Sequence, residues 1–142
     1  MASFKGFPEG KLRQTPIPEP FFSELLTAID DLAELKLTIY IFWRLNRMEG
    51  AFRYLRVKDI QSDTQFMQGL GEDIHAADLA LTGALEKASA RGTLLRAAVA
   101  RGKQEEHFYF LNSAKGRAAL RAIEKGEWRF SGDAELQIRL GD

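Results

Sequence analysis

Leu32, Leu35, Ile39, Phe42 and Leu45 recur at three- and four-residue steps, which places them on one face of a helix, and Leu37, Tyr40, Ile41 and Trp43 give the same stretch a second apolar face. A helix apolar nearly all round is buried on more than one side, in a central core or against a partner subunit. Asp30 or Asp31 stands where a carboxylate accepts the first free amide protons and favours the positive helix end. Gly50 is the expected stop, behind Arg44, Arg47 and Met48. Upstream, Pro20 suits the first turn of a short helix through Phe21, Leu25, Leu26 and Ile29.

The pattern then shortens. Tyr54, Leu55, Arg56 and Val57 form a strand candidate, and residues 58–70 read as helical through Ile60, Phe66, Met67 and Leu70, with Asp63 as a break point. Residues 76–91 form the next helix, with Ala77, Leu81, Ala84, Leu85 and Ala88 on one face, and Gly92 lets the chain reverse into a strand. The stretch 94–111 reads as a hairpin turning at Arg101, Gly102 and Lys103, its second arm carried by Phe108, Tyr109 and Phe110. Asn112 or Ser113 caps a helix that buries Gly116, Ala119, Leu120 and Ile123 and ends at Gly126. The tail alternates at Leu136, Ile138 and Leu140, a strand period in need of a pairing partner.

This order predicts an α+β domain, mainly helical with a small β wing: a winged helix-turn-helix with extra N- and C-terminal helices over residues 21–127. Residues 1–20 hold all four prolines and form an extended arm, and residues 128–142 a tail with a strand pattern. Phe4, Phe7 and Ile17 give the arm side chains that dock on the domain or on a neighbouring subunit; a partly ordered terminus is the alternative.

Composition narrows the function classes. The chain has 20 basic and 20 acidic residues, whereas an autonomous DNA-binding domain is usually visibly basic. The absence of cysteine removes disulfide frameworks and thiolate metal sites and is compatible with a cytoplasmic location. The opening residues lack the apolar run of a secretory signal, and the apolar stretch 37–43 is far too short to span a bilayer.

The candidate chemistry divides along the same lines. Lys87, Arg91, Arg96, Arg101 and Lys103 run without an intervening acid within that set, and Lys115 and Arg117 follow, a candidate patch for sequence-independent phosphate contact. A solvated face with ordinary helix-end cations accounts for it as well. Base readout needs Arg, Lys, Asn or Gln on the outer face of the recognition helix; that face carries Asp78, Thr82, Glu86 and Ser89, behind Glu72 and Asp73. Carboxylates there repel phosphate where base contacts normally begin.

Enzyme chemistry has little support. His75 and His107 have no metal-ligand spacing, Gly69 and Gly71 follow a helix instead of a strand, and Asp30 with Asp31 reads as a cap before a cation site. No cofactor and no small-molecule substrate are expected. Self-association has more: Phe4, Phe7, Ile17, Phe21, Phe22, Leu37, Tyr40, Trp43, Leu136, Ile138 and Leu140 offer apolar surface that one small domain leaves uncovered.

The segment Ile17-Pro18-Glu19-Pro20-Phe21-Phe22, followed by Leu25-Leu26, an acidic cap and Leu32-Ala33-Glu34-Leu35-Lys36, resembles the start of the N-terminal domain of DnaD-type primosome proteins, and residues 15–125 follow that layout in order. The resemblance implies a bacterial replication-initiation accessory protein whose winged helix mediates self-association and contacts with other replication proteins. It also implies that the family's main DNA-binding activity, which belongs to a separate C-terminal domain, does not carry over. The competing expectation is a dimeric winged-helix transcriptional regulator that holds DNA through the wing cations.

Overall fold

The structure, a computed structural model, describes residues 3–127. Among these the chain forms six helical segments and a three-stranded antiparallel sheet, an α+β arrangement. The arm leads into a π-helical turn, Phe21–Leu25, whose Phe21 ring meets Phe42 edge-to-face at 5.8 Å. Then come α1 (Leu32–Asn46), β1 (Leu55–Arg56), α2 (Val57–Gln61), α3 (Thr64–Gln68), α4 (Ile74–Arg91), β2 (Leu94–Arg101), β3 (Gln104–Leu111) and α5 (Ala114–Glu124).

Short polar side chains set the helix starts. Asp31, Asp63, Asp73 and Ser113 each accept a backbone N–H three residues on, at the heads of α1, α3, α4 and α5. The break expected at Asp63 is therefore a cap: it ends the reach of α2 and begins α3. Gly92 closes α4 at φ 89°, a left-handed turn in which a β-carbon is disfavoured, and the Thr93 amide bonds back to Ala88. That turn sends the chain straight into β2.

The strands lie in the order β1-β3-β2, with Leu55 opposite Tyr109 and Leu94 opposite Leu111. Successive β3 side chains point to opposite faces, and both faces are covered. Phe108 and Phe110 pack with Val99, Ala119 and Ile123 beneath α5. Tyr109, Leu55 and Leu94 join Leu37, Ile41, Ile60, Leu81 and Ala88 in the core between α1, α4 and the sheet. Full burial of each large side chain contributes about 1.5–3 kcal/mol.

The orientation of α1 corrects the expected faces. Its buried stripe runs Glu34, Leu37, Thr38, Ile41 and Leu45, flanked by buried Tyr40 on one side and Phe42 on the other, so the helix is buried on more than one side as expected, while Leu32 is 64 % exposed and Ile39 and Trp43 are also open to solvent. Two polar residues interrupt the apolar spacing of the true core face. Their burial is possible because Thr38 Oγ1 donates to the Glu34 carbonyl at 2.8 Å and the Glu34 carboxylate receives Arg91. The helix also stops at Asn46, before Gly50, with the Arg47 amide bonded to the Arg44 and Leu45 carbonyls.

Candidate interaction surfaces

The outer side of α4 is where the sequence places nucleic-acid readout. Its exposed residues are Ile74 at 82 %, His75, Leu79 at 62 %, Thr82, Glu86 and Lys87, with Asp78 half-buried beside them. Glu72 and the capping Asp73 stand exposed at its head. Two large apolar side chains and a row of carboxylates face solvent there, a surface suited to protein and ill-suited to phosphate. The exposure of Leu79 has a signal in the sequence, since it falls outside the Ala77, Leu81, Ala84, Ala88 stripe; Ile74 continues that stripe by three- and seven-residue steps and is exposed as the first residue of α4.

The cations expected to form one patch are divided by the fold. Lys87 reaches Asp31 at 3.1 Å, and Arg91 grips the fully buried Glu34 through Nε–Oε2 at 2.7 Å and Nη2–Oε1 at 3.1 Å. These two cations tie α4 to the head of α1, which sets them apart from the other cations of the expected patch. The Glu34 backbone N–H, with Lys87 beside it, holds the Asp31 carboxyl below its usual range, and Arg91 is strengthened as a cation by its bonds to Glu34. Arg96 on β2, Lys103 in the hairpin turn, and Lys115 and Arg117 on α5 remain exposed; Arg117 also donates to Asn112 Oδ1 at 3.1 Å. Arg101 closes β2, and its side chain lies outside the described part of the structure.

The apolar candidates divide as well. Phe21, Leu37 and Tyr40 are core residues, which removes them from any partner surface. Tyr40 stacks on Phe66 at 3.8 Å, donates to Asp63 Oδ2 at 2.7 Å and accepts from Arg44. Burial and the Asp63 bond raise its phenol to about 12, while the Tyr40 hydroxyl and the Phe66 amide hold Asp63 below the usual carboxylate range. Phe4 at 74 %, Phe7 at 83 % and Phe22 are exposed, and Ile17 is half-buried. Trp43 is open, with the Arg47 guanidinium 5.2 Å from its ring centre. Leu136, Ile138 and Leu140 lie outside the described residues.

Concavities accompany these surfaces, one of them beside Lys115 and Phe52. A pocket of about 180 Å³ is lined by arm residues Pro16 and Pro18 together with Phe42, Leu45, Phe110 and Gly116. A wider cleft of about 510 Å³ opens between α3 and the head of α4, lined by Met67, Ala77 and Ile74 with Glu72, Asp73 and Asp78. Residue spacing alone does not reveal this cleft, because α3 and α4 contribute to it from opposite sides of a tight turn. Among the described residues no three His, Asp or Glu side chains converge on a metal-sized site, and no helix is long and apolar enough to cross a membrane. No protein-family model, curated protein or solved structure matches the chain.

Proposed function

We propose that this chain is a winged-helix interaction module without enzymatic activity, which associates with itself and with other proteins and touches DNA at most without sequence preference. The observation that carries the reading is the outer face of α4: Ile74 and Leu79 exposed, Glu72, Asp73, Asp78 and Glu86 around them, and Lys87 and Arg91 turned to Asp31 and Glu34. The element order, the β1-β3-β2 sheet and the left-handed exit at Gly92 support a winged helix, with α4 in the recognition position and the β2–β3 hairpin as the wing. The likeness of the Ile17–Lys36 stretch to DnaD-type N-terminal domains makes bacterial replication proteins in the cytoplasm the natural partners.

Two measurements test the reading together. Light scattering across a concentration series is expected to give a mass above that of one chain, and a low-salt titration is expected to give the same weak affinity for unrelated duplexes. A strict monomer removes self-association; preference for one sequence removes the non-specific role.

A second reading, a DNA-binding regulator, is favoured by the exposure of Arg96, Lys103, Lys115 and Arg117 on the wing and α5. It requires affinity that falls steeply with salt, by roughly 0.9 in log K per log unit of salt for each phosphate contacted.

A further inference from the structure

We propose that the cleft between α3 and the head of α4 receives the N-terminal arm of a second copy of this chain. The inference rests on the self-association proposed above and names its receptor and its ligand. The cleft has an apolar floor at Met67 and Ala77, Ile74 exposed at its edge, and three carboxylates on its lining, with no Lys or Arg among the lining residues. Its chemistry calls for an extended segment that brings apolar side chains and positive charge together.

The arm is such a segment. Residues 3–15 contain Lys5, Lys11 and Arg13 against the single acid Glu9, interleaved with Phe4, Phe7 and Leu12. All three apolar side chains are exposed, and Phe4 and Phe7 meet edge-to-face at 5.0 Å away from the core. A pair of exposed rings on a cationic, irregular segment is a ligand that its own domain leaves uncovered.

Geometry favours a second copy as the receptor. The arm leaves the domain at Pro16 and Pro18, beside Phe42, whereas Tyr40 faces α3 through Phe66; positions two apart on a helix point to nearly opposite sides. The arm therefore departs from the side of α1 remote from the cleft of its own chain. Extended at about 3.3 Å per residue, residues 3–15 reach roughly 40 Å, more than the radius of a domain of this size. Reciprocal exchange of two such arms closes around a two-fold axis without leaving a free cleft.

The test uses the full chain with a photoreactive benzophenone side chain installed at Phe7 in an isotope-labelled copy, mixed with an unlabelled copy. Crosslinks are expected between the labelled arm and residues 64–79 of the unlabelled chain, and Ile74→Asp in the unlabelled copy is expected to cut their yield at least fivefold while its circular dichroism spectrum is unchanged. Crosslinks confined to one chain, crosslinks elsewhere, or a yield indifferent to Ile74→Asp overturn the proposal. The solution mass separates the two levels. A dimer lacking these crosslinks sinks the arm exchange alone, and a monomer sinks self-association with it.

Discussion

Arg91, the last residue of α4, holds both carboxylate oxygens of Glu34 in the first turn of α1, at 2.7 and 3.1 Å across 57 residues of sequence. Glu34 is fully buried and Arg91 is partly open, so the pair is a clamp driven into the core from the surface. It fastens the end of α4 to the head of α1, with Lys87 and Asp31 as a weaker, exposed second fastening.

Breaking the clamp from one side leaves a charge in the core without a partner, which costs more than the pair contributes when whole. Arg91→Met is expected to lower the thermal midpoint by roughly 5–15 °C. Arg91→Met combined with Glu34→Gln is expected to regain more than half of that loss. Thermal melts followed by circular dichroism decide; a double variant as unstable as the sum of the singles removes the coupling.

The Tyr40–Asp63 bond predicts stability that declines at both ends of the pH scale. Asp31, Asp59 and Asp63 titrate below their ordinary values, Asp59 because its bonds from Arg56 outweigh burial. The unfolded chain then binds more protons than the folded one, so their contribution is present above about pH 4–5 and is lost as pH falls through the folded values. Tyr40 has the opposite sign: raised to about 12 from 10.0, its contribution is full below 10.0 and disappears as pH rises through about 12. Tyr40→Phe is expected to flatten the alkaline limb, and Asp63→Asn to weaken both. Urea midpoints measured across pH give the result, and a Tyr40→Phe profile that keeps its alkaline decline refutes the assignment.

Gly116 and Gly83 make a matched pair of Gly→Ala substitutions. A β-carbon on Gly116 lies 1.8 Å from the Leu111 carbonyl oxygen, a backbone atom with no freedom to withdraw, because α5 packs directly on the end of β3. A β-carbon on Gly83 meets nothing within 4 Å in the middle of α4. Gly116→Ala is expected to displace α5 and abolish cooperative unfolding, while Gly83→Ala stabilises by about 0.5–1 kcal/mol. Denaturant curves for the two proteins are the measurement, and a Gly116→Ala protein of unchanged stability contradicts the packing of α5.

The elements with clean apolar spacing were legible in the sequence. The stripe Ala77, Leu81, Ala84, Leu85, Ala88 locates the core face of α4, and Phe108-Tyr109-Phe110 locates the strand that is buried on both sides. The face of α1 was legible only in part: Leu37, Tyr40, Ile41, Phe42 and Leu45 are buried, but Glu34 and Thr38 occupy core positions whose partners are remote or internal, and Leu32, Ile39 and Trp43 are open. Charge was misleading for a related reason. Lys87 and Arg91 are neighbours of Arg96 in sequence, but Arg91 is bound to the buried Glu34 and Lys87 forms an exposed ion pair with Asp31, so the two are tied to α1 and not to the wing. The cleft at the head of α4 depends on how α3 turns against it, which residue spacing does not encode.

The exposed side of α1 supplies the last prediction. Leu32, Ile39 and Trp43 succeed one another at seven- and four-residue intervals along the solvent side of the helix, opposite the stripe that packs on α4. Such a ridge is available to a second copy without any rearrangement of the core. Ile39→Lys adds a charge at a position already open to water, so it is expected to change monomer stability by no more than about 0.5 kcal/mol. At an apolar interface the same ammonium would be desolvated without a partner, and the proposed dimer is expected to weaken at least tenfold. Sedimentation equilibrium on the wild type and Ile39→Lys, paired with Arg96→Ala as an exposed control on β2, separates the possibilities. Equal dissociation constants for all three proteins exclude this face of α1 from the proposed interface.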